Sequence, residues 1–141
     1  VLVASNAINS CLNVFKDELK TITCISSICG VEVIPNAPIE YGVSKAALVA
    51  LVKYAVPIMS EYDIRINCIS PGNLLFSGST WEKKLLQDRE KTTAYIGENV
   101  PSGTFGEVGH IANLVEYIIS AEQSFLTGHN FILDGGQTKS W

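Results

Sequence analysis

At 141 residues and 47% hydrophobic side chains, the chain is long enough for one compact domain with a real core. Its 14 acidic against 10 basic residues leave a formal charge of −4, which argues against a nucleic-acid or anionic-membrane surface. No apolar run is read as approaching the ~20 residues of a spanning helix, and Val1-Leu2-Val3 lacks the basic flank and cleavage site of a secretory leader. The four cysteines, Cys11, Cys24, Cys29 and Cys68, show no paired metal-ligand spacing. Cys24 and Cys68 fall on predicted buried strands, so free thiols in a reducing cytoplasm are expected, with no metal, nucleic-acid or membrane partner.

Residues 1 to about 19 form the first predicted helix. Ala4, Ile8, Cys11, Leu12, Phe15 and Leu19 share one stripe at helical spacing, with Asn6, Asn9, Asn13, Lys16 and Asp17 off it. Neither a Met nor a capping residue precedes them, so the chain is expected to begin inside an element. Thr21 to Ile25 is a short β-branched run and reads as a strand. A loop over 27–40 carries Gly30, Pro35 and Pro38. Asn36 is the predicted cap, and Pro38 the first turn, of a helix that carries Tyr41 through about Met59. Ala46, Ala47, Leu48, Val49, Leu51 and Val52 make that helix apolar over more than one stripe, which predicts burial on two sides. Pro57 removes one backbone bond near its end.

Ile64 to Ile69 is the next strand, and Pro71-Gly72 breaks it into a loop reaching about Thr80. Residues 81 to about 97 read as one or two short polar helices. Val108, Ile111, Ala112, Val115, Ile118 and Ile119 give an amphipathic helix after the turn region at Gly103 to Gly106. Asn130 to Leu133 is the last strand, closed by Asp134-Gly135-Gly136. Helix-length crossovers between strands imply parallel pairing with right-handed connections. The expected fold class is α/β: three parallel strands with flanking helices, the second half of a doubly wound sheet.

The chemistry concentrates on Tyr41-Gly42-Val43-Ser44-Lys45 and on Ser26-Ser27 upstream. Tyr41 and Lys45 lie one turn apart on the same helix face. A phenol, with an ordinary pKa of roughly 10, is a poor acid at neutral pH, and a fixed ammonium beside it favours the phenolate. A serine hydroxyl on the preceding loop would hold the oxygen of a carbonyl substrate against the phenol. That combination moves a proton on or off an alcohol oxygen while a hydride moves at carbon.

Taken in order, Ile22-Thr23-Cys24-Ile25-Ser26-Ser27 with Gly30, Tyr41 and Lys45, Ile64-Arg65-Ile66-Asn67-Cys68-Ile69-Ser70-Pro71-Gly72, Leu126-Thr127-Gly128 and Asp134-Gly135-Gly136 resemble the short-chain dehydrogenase/reductase family in its short single-domain form. The resemblance covers nearly the whole chain and implies a Rossmann-type fold. It implies Tyr41 as general acid/base and Lys45 as its electrostatic support and a ligand of the nicotinamide ribose. It selects Ser27 over Ser26 as the substrate-orienting serine, because Gly30 follows Ser27 by three. It also implies Pro71, Gly72 and the backbone of Leu74 as neighbours of the nicotinamide carboxamide. NAD or NADP is the implied cofactor, and a homodimer or homotetramer the implied assembly, paired through the first and Tyr-bearing helices and through the last helix and strand.

The sequence also departs from the family. Phe76 stands where a threonine often lies four residues after the glycine, with Ser77 or Ser79 as substitutes. Trp81 and Phe76 fall in the variable substrate-covering segment, as a lid or as ordinary packing. Asn67, His110 and His129 are read as structural or surface residues. No Gly-rich phosphate loop occurs, so the chain is expected to be the C-terminal catalytic half, 1–141, of one domain whose N-terminal dinucleotide-binding half is absent. Alone it is expected to bind dinucleotide poorly and to be inactive. The function expected of the complete protein is interconversion of a secondary alcohol and a ketone or aldehyde. The alternatives are a non-catalytic paralogue serving as subunit or scaffold, and a sugar-nucleotide-modifying relative. An enoyl reductase is disfavoured by the close Tyr-to-Lys spacing.

Overall fold

The computed structural model describes residues 2–15 and 20–139. In chain order these form α1 (Leu2–Phe15), β1 (Thr21–Ile25), a 3-10 turn (Ile28–Gly30), α2 (Ile39–Ser60), β2 (Arg65–Pro71), α3 (Thr80–Gln87), α4 (Arg89–Asn99), α5 (Val108–Ile119), a second 3-10 turn (Ala121–Gln123) and β3 (Asn130–Leu133). The strands lie in the order β1-β2-β3 and both pairs are parallel. Cys24 faces Cys68 across the first pair and Ile69 faces Phe131 across the second. This is the α/β sheet that the alternating pattern predicts. Leu19, Lys16 and Asp17 of the first predicted helix lie outside the described residues.

β2 is the central strand and is buried from Ile66 to Pro71, as expected for a parallel strand covered on both faces. On one face α1 and α2 close the core: Ile8, Val52, Ala55, Met59, Ile64, Ile66 and Cys68 form one cluster, with Leu12, Ile22 and Cys24 packed against it. Burial first, and then the neighbouring Cys24, push the Cys68 thiol up to about 11. Cys24 is raised by burial as well, so both are poor thiolates and behave as small apolar side chains.

On the other face Arg65 anchors the end of α5. Its guanidinium donates to the carbonyls of Ile118, Leu126 and Ser120 at 2.8–3.3 Å, satisfying acceptors that a helix C-terminus leaves open. Asn67 continues the clamp, donating to Leu126 O and accepting from His129 N. Its amide is thus engaged with backbone on both sides, in line with a structural role.

Two sequence expectations need correction. Asn36 does not cap α2: it takes a left-handed turn at φ 66, a conformation asparagine tolerates. Pro38 occupies the cap position without a side-chain bond, and its carbonyl accepts from Gly42 N. The second concerns apolar length. α2 has 22 residues and contains an 18-residue window of mean hydropathy 1.5, so by length and composition alone it is long and apolar enough to cross a membrane. In the fold it buries Val52, Ala55 and Met59 against the sheet. The predicted second burial is not supplied among the described residues, where Val43, Tyr54 and Ile58 are exposed.

Candidate active site

β1 and β2 run parallel, so the loops after Ile25 and after Pro71 leave the same end of the sheet. That carboxyl edge is where open α/β sheets bind ligands. Ser27, Gly72 and Leu74 lie on these loops, Pro71 ends β2, and Tyr41 and Lys45 lie at the start of α2.

The loop after β1 is held by backbone. Ser26 N donates to Ile69 O at 2.7 Å, and its buried hydroxyl donates to Lys45 O at 2.9 Å. Gly30 packs against the same helical turn: a Cβ there would stand 2.5 Å from Lys45 C and 2.6 Å from Ala46 N, inside any real contact. Between these two fixings lies Ser27, whose Oγ accepts from Cys29 N at 3.2 Å and caps the 3-10 turn. One lone pair is thereby used, while the hydroxyl proton and the second lone pair are left. Ser26, whose proton is spent on Lys45 O, is the weaker candidate, as the spacing to Gly30 implies.

Lys45 reaches back from α2 to donate through Nζ to Ile25 O at 3.0 Å. The same Nζ lies 5.6 Å from the centre of the Tyr41 ring, within the range of cation–π attraction. Tyr41 itself is 43% exposed, so its phenol is open to a reactant. One helical turn therefore presents an accessible phenol and an ammonium anchored to a strand end.

The loop after β2 leaves the same edge of the sheet. Gly72 N donates to Leu133 O at 2.9 Å. A Cβ on Gly72 would sit 2.8 Å from both Cα and Cβ of Asp134. The glycine is thus needed for packing against the end of β3, a reason beyond the close ligand approach expected of it. Leu74 forms an isolated parallel bridge with Gly106, in which Gly106 N donates to Asn73 O and Leu75 N donates to Gly106 O. The N–H and C=O of Leu74 itself take no part in that bridge, and no protein group meets them among the described residues. A free donor beside a free acceptor fits a primary carboxamide, which needs one of each. Asn73, Leu74, Gly106, Phe105, Asp134 and Gly135 also border a cleft of about 390 Å³, which Ser27, Tyr41 and Lys45 do not line.

Of the two candidate substitutes for the family threonine, Ser79 is engaged. Its Oγ caps α3, accepting from Glu82 N at 3.0 Å and Phe76 N at 3.3 Å. Ser77 is exposed and its hydroxyl has no protein partner among the described residues. Trp81 is packed: its ring stacks on Tyr95 at 5.4 Å, meets Phe105 at 5.5 Å and carries Lys84 Nζ over its face at 4.3 Å. Phe76 is half exposed. His110 accepts from Glu107 N at the start of α5, and His129 packs edge-on against Phe131. Both therefore sit at structural contacts. Asn73 and Gln137 escaped the sequence reading. The motif Pro71-Gly72 flagged the neighbourhood of Asn73, but nothing pointed to Gln137.

A family model described as Enoyl-(Acyl carrier protein) reductase matches residues 3–138. The chain is 30% identical over 118 residues to the bovine (Bos taurus) protein Dehydrogenase/reductase SDR family member 4, an alignment covering 82% of this chain and 40% of that one. Among solved structures, L-sorbose reductase from Gluconobacter frateurii complexed with NADPH and L-sorbose superposes with a TM-score of 0.89 at 26% identity, over 100% of this chain and 56% of that one. A 4-hydroxyisoleucine dehydrogenase complexed with NADH superposes with a TM-score of 0.81 at 29% identity, over 97% and 54% of the two chains. The chain belongs to the short-chain dehydrogenase/reductase family. It spans about half the length of these structures and less of the curated relative.

Proposed function

We propose that the complete protein is an NAD- or NADP-dependent oxidoreductase interconverting a secondary alcohol and a ketone or aldehyde. The observation that carries this reading is the anchored Lys45 ammonium one turn from an accessible Tyr41 phenol, beside a loop that holds Ser27. When bound, the nicotinamide supplies or accepts the hydride at carbon. For reduction, Ser27 Oγ–H and Tyr41 Oη–H donate hydrogen bonds to the carbonyl oxygen, and Tyr41 transfers its proton as charge develops there. Lys45 stabilises the phenolate left behind. Leu74 N–H and C=O pair with the carboxamide, and Pro71 and Gly72 set the course of that loop. Ser77 offers the hydroxyl that Phe76 cannot.

In this reading residues 1–141 are the catalytic half of one Rossmann-type domain. The outer edge of β1 supports it, as do the hydroxyls of Thr21 and Thr23, which are buried without partners among the described residues. A further strand and its crossover would cover both.

Tyr41→Phe in the complete protein is expected to cut turnover of carbonyl substrates by at least about a hundredfold, with the melting temperature and NAD(P)H affinity held. Survival of turnover within a few-fold would sink the assignment. Reduction of α,β-unsaturated thioesters with no alcohol–carbonyl activity would replace it by an enoyl reduction.

Assembly as a homodimer or homotetramer is part of the proposal. The outward face of α2 carries Val43, Tyr54 and Ile58 at 65%, 82% and 55% exposure, an apolar stripe suited to a second copy of the same helix. The double variant Tyr54→Asp, Ile58→Lys should sediment as a monomer. A wild-type protein already monomeric at micromolar concentration contradicts the assembly.

A further inference from the structure

We infer that two copies of this chain pair through α2 in one antiparallel register, with Ile39 of each copy seated in the groove between α1 and α2 of the other. The inference rests on the assembly stated above and fixes which residues meet in it. Val43, Tyr54 and Ile58 belong to a longer face that begins at Ile39, which is 80% exposed. Between Val43 and Tyr54 the same face carries only Ala46, Ala47 and Ala50.

A second copy is the occupant that the order of sizes favours. Read from either end, the face runs from two bulky residues through small ones to two bulky residues. Paired antiparallel about a two-fold axis between Leu48 and Val49, Ile39 meets Ile58 of the second copy and Val43 meets its Tyr54. Ala47 then meets Ala50, so the helices can approach closely where they cross. One register serves both copies, as a two-fold contact requires. The four large residues expose roughly 600 Å² per copy, so a pair covers about 1,200 Å², the lower end of a stable interface. A further half of the same domain would extend the sheet beyond β1 and would not stack a third layer on α2.

The end of this register finds a hole as well as a neighbour. Asn9, Leu12 and Asn13 of α1 and Ile58 and Tyr62 of α2 border a groove of about 490 Å³. Ile58, the residue opposite Ile39 of the second copy, is one wall of it. The groove has room for more than that side chain, and the turn before it, Pro35 to Pro38, follows Ile39 in. Asn9 and Asn13 carry exposed amides with no protein partner among the described residues. They offer that turn both donors and acceptors. The turn lies on the loop joining Ser27 to Tyr41, so each copy holds the catalytic loop of the other from outside.

The test cross-links the complete protein with a bis-maleimide spanning about 10 Å, the separation of packed helix axes. Cys11 and Cys29 are first replaced by alanine, while Cys24 and Cys68 are already poor thiolates. Ile39→Cys, Ile58→Cys and the double variant are then compared. In this register Ile39 lies about 28 Å along the helices from its own symmetry mate and from Ile58 of the same chain. Each single variant should therefore stay a single chain under denaturing conditions. The double variant should give at least about tenfold more covalent dimer. As a second measurement, Ile39→Ala should raise the dissociation constant of the assembly about five- to tenfold. Equal cross-linking of the single variants, none in the double variant, or an unchanged dissociation constant would each overturn the register, while the assembly itself stood. A wild-type protein that is monomeric at micromolar concentration would remove the assembly and this inference with it.

Discussion

The two loops at the carboxyl edge of the sheet, a catalytic wall after β1 and a cofactor wall after β2, are built in different ways. The catalytic wall is tied mostly to nearby backbone: Gly30 lies on the Lys45–Ala46 peptide, the Ser26 hydroxyl donates to Lys45 O, and Ser26 N donates to Ile69 O. Its parts lie within about twenty residues of one another, apart from the tie to Ile69. The cofactor wall is assembled from distant pieces: Gly72 on Asp134, Leu74 against Gly106, and Asn73 on Gln137. Proton transfer tolerates little displacement, and the proposed function places it on the wall whose ties are short in sequence.

The largest expected effect breaks the rigid wall. Gly30→Ala in the complete protein would bring a methyl to 2.5 Å from Lys45 C and 2.6 Å from Ala46 N. Both are main-chain atoms of a helix and cannot rotate away. Overpacking of this kind costs about 1–3 kcal/mol. Thermal unfolding should shift down by several degrees, and kcat should fall as Ser27 moves away from Tyr41. Gly97→Ala is the matched control: nothing lies within 4 Å of a Cβ built there, and alanine favours the α4 helix by about 0.8–1 kcal/mol. Equal melting temperatures for the two variants would mean that the loop is not locked on α2.

This difference between the walls also decided what was legible beforehand. β1 and β3 were readable to the residue, because their β-branched and apolar runs end at turn residues. The Tyr41–Lys45 pair follows from helical spacing, whereas the packing of Gly30 on α2 was not read from the sequence. The start of α2 was misplaced because Asn36 serves equally as a cap or as a left-handed turn, and only the surrounding chain decides. That helix was legible, but its being long and apolar enough to span was not, because Lys45 and Lys53 break the apolar run without lowering the window's mean hydropathy far. Gln137 and Lys139 were invisible in principle. Their partners, Asn73 and Glu32, are chosen by the fold across 64 and 107 residues, and no local pattern marks an amide for such a contact.

A smaller effect, expected at Ser79, sharpens the contrast from the other side. Its buried hydroxyl caps α3 by accepting from Glu82 N, and it braces the preceding turn through Phe76 N. Replacing a serine cap by alanine costs about 0.5–2 kcal/mol. The neighbouring bond from Gly78 N to Glu82 Oε2, at 2.6 Å, remains to hold part of the turn. Ser79→Ala should therefore loosen the segment carrying Phe76 and Ser77 while the catalytic wall stays intact. In steady-state kinetics KM for the carbonyl substrate rises a few-fold and kcat stays within about twofold, the pattern of lost ground-state binding. A fall in kcat comparable to that of Tyr41→Phe, with KM unchanged, would mean that the Ser79 hydroxyl meets the reacting groups. The capping geometry would then have misled, and Ser77 would lose its claim to the threonine's place.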